Sequence, residues 1–494
     1  MIRAVARRVL AGIRGVPLPL ALLLASALLL GTAWSLVTAP LQGFDEPNHV
    51  AYAVHLGQTG KPPMVSTGIA SFDPAEAHAL NIAGFGRMAQ NPAVRPPWRA
   101  ADERAFERFE AGLPDGSKAR GNGPNPLAKN PPLYYAYEGI VSRIAPGGLF
   151  TDLWAMRTAN VLLLLPAVIF AWLLAAELFR RTLPRVVVAG VVALQPVLGQ
   201  IAGIVNSDML LVVAWLALTW LGVRTYRRGV SARRLAAVGA AAGACVLTHG
   251  RGIAAIPVFL LIVLLVMVRH RPPPRHALRA AIAGGAALAA AAVAYLVYTA
   301  AASNGSAGVY GGEANLGPTG VNPREFLSFV WQFYLPRLGA MTPRPGPDYG
   351  FRQVWVQTLF GSFGGYEVNL SDGVRDTIQV TLVGGALAVL AVCIRRWEQT
   401  KRHWGEIALV AGPALCMLVL LHLASYRALA GTNTDPLITG RYLLPLLGSF
   451  GVGAALVVDS LPRRVGAAVA GALLTGLALA SLSGIALTLA RTYV

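Results

Sequence analysis

Phe44-Asp45-Glu46-Pro47-Asn48-His49 places two adjacent carboxylates and a histidine directly after the first long apolar run. These residue types activate hydroxyls: a carboxylate can take the proton, and a low-dielectric position beside a bilayer strengthens it as a base. Neighbouring side chains at a helix start diverge, so one acid can face a substrate while the other binds a cation or an arginine. Helix capping is the structural alternative, since Asp45 ahead of Pro47 is a good helix start. A cap accounts for Asp45, but not for Glu46 and His49 as well. Asp45 and Glu46 are therefore expected to be catalytic, with His49 on the substrate.

Three further clusters carry polar chemistry. Asp208, in the short turn Asn206-Ser207-Asp208, is either a helix cap or a second acid. Two such acids can share one hydroxyl or one metal, so Asp45 and Asp208 are the candidate ligands of a divalent cation such as Mg or Mn. His249 and Arg251 lie in Thr248-His249-Gly250-Arg251-Gly252, where glycines admit a phosphate and arginine can grip it with two hydrogen bonds. Headgroup contact by a snorkelling side chain is the alternative. Arg441 and Tyr442 open another apolar run; an arginine entering a membrane helix faces a cavity or a phosphate, or else anchors at the interface.

The elements that must hold these groups are membrane spans. Only 13% of the 494 residues are charged, the mean hydropathy is +0.54, and apolar runs of about 20 residues recur. Eleven spans are expected, at 17–38, 152–179, 184–203, 207–225, 233–249, 251–268, 277–300, 375–394, 405–425, 440–458 and 464–489. With the N-terminus in the cytoplasm, inside segments hold 22 Lys+Arg against 4 Asp+Glu, and outside segments 20 against 19. That asymmetry is the positive-inside pattern and fixes an orientation. The net charge of +19 alternates loop by loop, so it is not a nucleic-acid surface. Cys245, Cys393 and Cys416 fall in apolar runs as small packing residues, with no disulfide framework or thiolate zinc site implied. The first span reads as an uncleaved signal anchor, and the Ala, Gly and Arg richness suggests a bacterial source.

The chain divides into a first span (1–38), a first outer loop (39–151), spans two to seven (152–300), a second outer loop (301–374) and spans eight to eleven (375–494). In the first loop, helices are expected at 45–57, 74–90 and 101–113. The stretch from Pro131 to Ile144 reads as lying on the membrane, with Tyr134 and Tyr135 at the interface. The second loop begins Gly-rich at 305–320, continues as an aromatic amphipathic stretch from Phe326 to Leu338, and passes a Pro-rich link at 343–347 to Trp355–Phe363. A lid over a cavity at the bilayer edge suits such a loop. No internal repeat, nucleotide-binding loop, Gly-x-Ser-x-Gly elbow or His-Glu-x-x-His stands in the chain, so the energy for transfer must come from a pre-activated substrate.

Taken in order, Asp45-Glu46, His49-x-x-Tyr52, Gly60-Lys61-Pro62-Pro63, Asn130-Pro131-Pro132-Leu133-Tyr134-Tyr135, Asn206-Ser207-Asp208 and Gly440-Arg441-Tyr442-Leu443-Leu444-Pro445 resemble the motifs of GT-C glycosyltransferases. The resemblance points to bacterial relatives of protein O-mannosyltransferases and lipid A aminoarabinose transferase, in a branch that begins Asp-Glu-Pro-x-His. It implies an all-α polytopic bundle of about 11 transmembrane helices with two large extracytoplasmic loops bearing interfacial helices. It also implies a polyprenyl-phosphate sugar donor, an inverting transfer on the outer face of a bacterial inner membrane, and an envelope glycan, lipid or protein acceptor. Asp45 takes the place of the family's base or metal-associated acid, and Asp208 that of its second-loop acid. Tyr134, Tyr135, His249, Arg251, Arg441 and Tyr442 are carried over as substrate contacts, although His249-Gly250-Arg251 stands where the family often has lysine. With no soluble domain after Val494, acceptor recognition is expected to rest on the two outer loops. A transporter or flippase for lipid-linked glycans, or an O-antigen ligase or polymerase, would share the topology. A flippase needs charges along its spans, and the spans read as almost free of them.

Overall fold

The computed structural model describes residues 15–65, 71–88, 91, 93–95, 99–117, 124–145, 147–301, 321–343, 350–432 and 439–493. The Gly-rich stretch at 305–320, the link at 344–347 and Gln90 lie outside them. Nine of the described helices are long and apolar enough to cross a membrane: Leu18–Val37, Leu149–Leu178, Asp208–Arg228, Gly250–His270, Pro274–Ala300, Asp372–Arg395, Trp404–Leu429, Gly440–Ser460 and Arg463–Tyr493. A bent pair, Thr182–Leu194 and Pro196–Ala202, is long and apolar enough only when taken together, and is broken by 54°. Pro196 has no amide to continue the ladder and forces the residue before it out of the helical region. Gln195 is accordingly extended, and its side chain caps the new helix by accepting from the Leu198 amide.

The fifth expected span, at 233–249, is also helical, Ala232–Thr248, but it is only 17 residues long and starts on Arg233 and Arg234. It lies flush on the Pro274–Ala301 helix because small residues meet there. A methyl group at Gly239 would come within 2.1 Å of the Gly284 carbonyl oxygen. The spans share one apolar core that includes Trp34, Trp172, Trp215, Leu444 and Leu447.

The first loop folds over one end of this bundle on a second core. The expected helix at 45–57 is Glu46–Thr59, the one at 101–113 is Ala100–Ala111, and the one at 74–90 is Pro74–Ile82 followed by a short turn, Phe85–Met88. Gly84, with φ +63°, separates the last two. Asp73 caps Pro74–Ile82 by accepting from the Glu76 amide at 2.8 Å.

Glu46–Thr59 crosses a Leu133–Ile144 helix at backbone contact, where a methyl group on Gly57 would sit 2.4 Å from the Gly139 oxygen. The packing corrects the expectation of interfacial tyrosines, while Ile140 and Ile144 of the same helix stay exposed. Tyr134 and Tyr135 are 0% exposed. Tyr135 stacks on Tyr52 of the neighbouring helix.

The second loop supplies a Pro323–Tyr334 helix, a π-helical turn at Arg352–Gly361 and an antiparallel pair, Ser362–Phe363 with Val368–Asn369. Phe329 and Phe333 bury the inner face of the first of these. Wide helical turns of this kind occur mostly at functional sites. Here the turn seats the start of the tenth expected span: the Gly440 amide donates to the Thr358 hydroxyl at 2.5 Å, and only glycine fits against Leu359 at that point.

Candidate functional site

The site starts from a buried knot between the first two spans. Arg157 uses all five of its N–H donors. Nε and Nη2 grip the two oxygens of Glu46 at 2.7 and 2.6 Å, while the remaining donors reach the carbonyls of Ser35, Thr38 and Ala39. Those carbonyls stand at and just beyond the end of the Leu18–Val37 helix, where the last turn leaves carbonyls without amide partners. Glu46 also accepts from the Val205 and Gly43 amides. With both side chains at 0% exposure, Glu46 has no oxygen left for a substrate. The sequence-based assignment of Glu46 as a catalytic group is corrected to that of a brace.

The brace points Asp45 the other way. Asp45 occupies the cap position of Glu46–Thr59 but does not cap it, and its backbone is left-handed, φ 54°, ψ 13°. Its carboxylate instead accepts from Arg441 Nη2 at 2.8 Å, with the Asp45 side chain 47% exposed and that of Arg441 12%. Burial would push the Asp45 carboxyl up, but the Arg441 charge and hydrogen bond outweigh it and hold the group below the usual carboxylate range. Asp45 is thus an ionised, half-exposed acceptor.

A second pair mirrors the first. Asn206 does the capping in its turn: its side-chain oxygen accepts from the Asp208 amide at 2.9 Å, and its amide donates to the Phe44 carbonyl. The Asp208 carboxylate is therefore available to Arg251, and His249 Nε2 stands 4.0 Å from the same oxygen. The Gly250–Ala254 turn is tight because a methyl group at Gly252 would strike the Cys245 carbonyl, and His249 Nδ1 caps it by accepting from the Arg251 amide. Tyr442 lies between the two arginines, its ring centre 3.8 Å from Arg251 Cζ and 5.6 Å from Arg441 Cζ. Phe44 covers Arg441 from the other side at 5.0 Å. Nε and Nη1 of Arg441 are buried with no hydrogen-bond partner among the described residues.

His49 is also within electrostatic reach of Asp45, Asp208 and Arg441. Burial lowers its pKa to about 4, partly offset by the two acids, so it is neutral at ordinary pH. Its Nδ1 meets the Tyr135 hydroxyl at 3.0 Å. Tyr135 stacks on Tyr52 at 3.6 Å between ring centres, and the Tyr52 hydroxyl donates to the Asn130 carbonyl and meets Tyr298. Tyr52 stands behind His49 and Tyr135 as a support. Tyr134 donates instead to Asn160, which donates to the carbonyls of Ile201 and Ile204. The structure therefore brings Asp45, His49, Asp208, His249, Arg251, Arg441 and Tyr442 together, and leaves Glu46, Tyr52 and Tyr134 in the supporting layer.

Sequence reading missed Arg157, Asn160, Lys129 and Tyr366. Arg157 did leave a signal, as an arginine eight residues into an apolar run. It sits well inside its span, whereas Asp208, Arg251 and Arg441 lie within the first two residues of theirs. Lys129 adds a cation within electrostatic reach of His249. No group of three His, Cys, Asp or Glu side chains converges among the described residues, and Asp45 and Asp208 each already face a guanidinium.

The family model described as "Predicted membrane protein (DUF2142)" matches residues 28–449. No curated protein matches the chain by sequence. Among solved structures, the chain is similar to ArnT from Cupriavidus metallidurans bound to undecaprenyl phosphate, at 13% identity and a TM-score of 0.44, over 90% of this chain and 60% of that one. It is also similar to the oligosaccharyltransferase of Archaeoglobus fulgidus in the apo form, at 13% identity and a TM-score of 0.44, over 96% of this chain and 56% of that one. The chain thus spans less than two thirds of either protein's length.

Proposed function

We propose that this chain, which belongs to the DUF2142 family of membrane proteins, is a GT-C glycosyltransferase that moves a sugar from a polyprenyl-phosphate carrier to a hydroxyl of an envelope glycan, lipid or protein. One observation carries the reading: a buried arginine, Arg441, has two N–H groups without a partner and lies against a half-exposed carboxylate, Asp45. Buried donors without partners are costly, and an anion restores their bonds. The order of the sequence motifs points to the same chemistry.

In this mechanism Asp45 accepts the proton of the acceptor hydroxyl. The hydroxyl oxygen attacks the anomeric carbon as the bond from that carbon to the phosphate oxygen breaks, with inversion. The polyprenyl phosphate leaves with the electron pair and stays in the bilayer. Arg441, seconded by Arg251, stabilises the charge that develops on it. His49, neutral and backed by Tyr135, orients the hydroxyl. Asp208 holds Arg251 in place. No step runs through a metal, because both acids are already paired with arginines. The site faces the outside of a bacterial inner membrane, with the N-terminus in the cytoplasm, as the charge asymmetry of the loops directs.

A flippase would need charges spread along a path, whereas Asp45, Asp208, Arg251 and Arg441 gather in one cluster. The test is reconstitution of the purified chain with a labelled polyprenyl-phosphate sugar and an envelope extract. Transfer of label into a product that mild acid does not release supports the reading. Movement of label across the vesicle without a new glycosidic bond overturns it in favour of transport.

A further inference from the structure

Four non-glycine residues have a positive φ among the described residues: Leu41, Asp45, Arg271 and Tyr366. Asp45 and Tyr366 belong to different outer loops and flank the same arginine. Tyr366, at φ +77°, forms the tip of the Ser362–Asn369 hairpin, and its ring packs on Phe44 with centres 4.7 Å apart. Phe44 in turn lies under Arg441, and the Tyr366 phenol is within electrostatic reach of that guanidinium.

The hairpin is held on every side. Asn369 donates to the Tyr366 carbonyl at 3.0 Å, and Ser362 donates to Asn369 at 2.6 Å. The Glu367 carboxylate lies against Gly364, whose φ of +65° favours glycine, and Arg491 holds Glu367 at 3.2 Å. Two glycines stand immediately before Tyr366. A glycine at 366 would relieve the left-handed backbone at once. A tyrosine kept in that conformation indicates that its side chain has a task, since backbone strain of this kind collects at functional sites.

We infer that Tyr366 is a further binding residue of the reaction site, its hydroxyl donating to the same phosphate that the free N–H groups of Arg441 grip. The inference rests on the polyprenyl-phosphate reading above and deepens it: the second outer loop contributes to the donor phosphate site as well as covering it. Phe44 touches both Tyr366 and Arg441, so the two side chains share one neighbourhood.

The experiment measures binding of decaprenyl phosphate to the purified full chain, alongside its thermal stability. Tyr366→Phe keeps the ring, the packing on Phe44 and the backbone, and removes only the hydroxyl. Losing one hydrogen bond to a charged group should weaken binding roughly tenfold with an unchanged Tm. In an Arg441→Ala background the same change should have little further effect, because residues sharing one partner are not additive. Unaltered binding by Tyr366→Phe, a full tenfold loss persisting in the Arg441→Ala background, or a fall in Tm of the same rank as the binding loss would each overturn the inference. A wild-type chain that binds no decaprenyl phosphate would overturn the underlying reading, and the inference with it.

Discussion

Asp45 and Glu46 are neighbours in the chain and are used in opposite ways. Glu46 is sealed from water, and Arg157 takes both of its oxygens. Asp45 is half-exposed, holds one N–H of Arg441, and sits on a left-handed backbone that turns it outward. Both are arginine–carboxylate pairs, yet their energetics differ. Breaking a buried pair strands a charge in low dielectric. Loosening a half-exposed pair costs little, because water can replace either partner. Glu46 therefore serves the fold, while Asp45 can exchange its partner during a reaction.

Four changes break or sharpen this contrast. The largest effect is expected from Asp45→Asn, which removes the base while leaving the brace intact. Transfer should fall roughly 10²–10⁴-fold, with Tm and yield close to wild type. Near-normal turnover with purified donor would show that Asp45 is not the base.

Glu46→Gln reverses the pattern. Arg157 would be left with a buried, uncompensated charge, at a cost of about 3–5 kcal/mol. The prediction is low yield and a markedly lower Tm in detergent, followed by size-exclusion chromatography after heating. A stable, inactive Glu46→Gln protein would return Glu46 to the chemistry.

His49 gives a smaller effect that depends on pH. Its folded pKa of about 4 lies below the ordinary 6.5, so protons favour the unfolded chain. Its contribution is complete above about pH 6.5 and disappears as pH falls toward 4, amounting to about 3 kcal/mol there. His49→Gln should flatten the stability curve between pH 4.5 and 6.5. An unchanged slope would mean that His49 is not buried as a neutral ring.

Arg441→Lys, the mildest change, keeps the charge but loses the forked contact. Apparent donor KM should rise about tenfold, while Tm changes little. Kinetics identical to wild type would make Arg441 a simple point charge.

Much of this arrangement was legible in the sequence. Every helix around the site lay within a few residues of its expected position, because hydropathy period and length alone define a span. Asp45, Asp208, Arg251 and Arg441 also stood out as charges at span ends. What could not be read was partnership. Glu46 differs from Asp45 only because Arg157, 111 residues away, reaches it. Tyr134 and Tyr135 looked interfacial because the glycine crossing that buries them involves Gly57, in a separate segment. Tyr366 was hidden in a Gly-Gly loop, since nothing in residue type alone reports a left-handed backbone.

That backbone has a further consequence at Asp45. A left-handed position is easier for asparagine, and easiest for glycine, than for other residues. The substitutions that relax the first outer loop are therefore the ones that remove its carboxylate. A directed-evolution screen scored on heat resistance alone would therefore meet no penalty at Asp45→Asn, and would let through proteins that fold as before and no longer turn over.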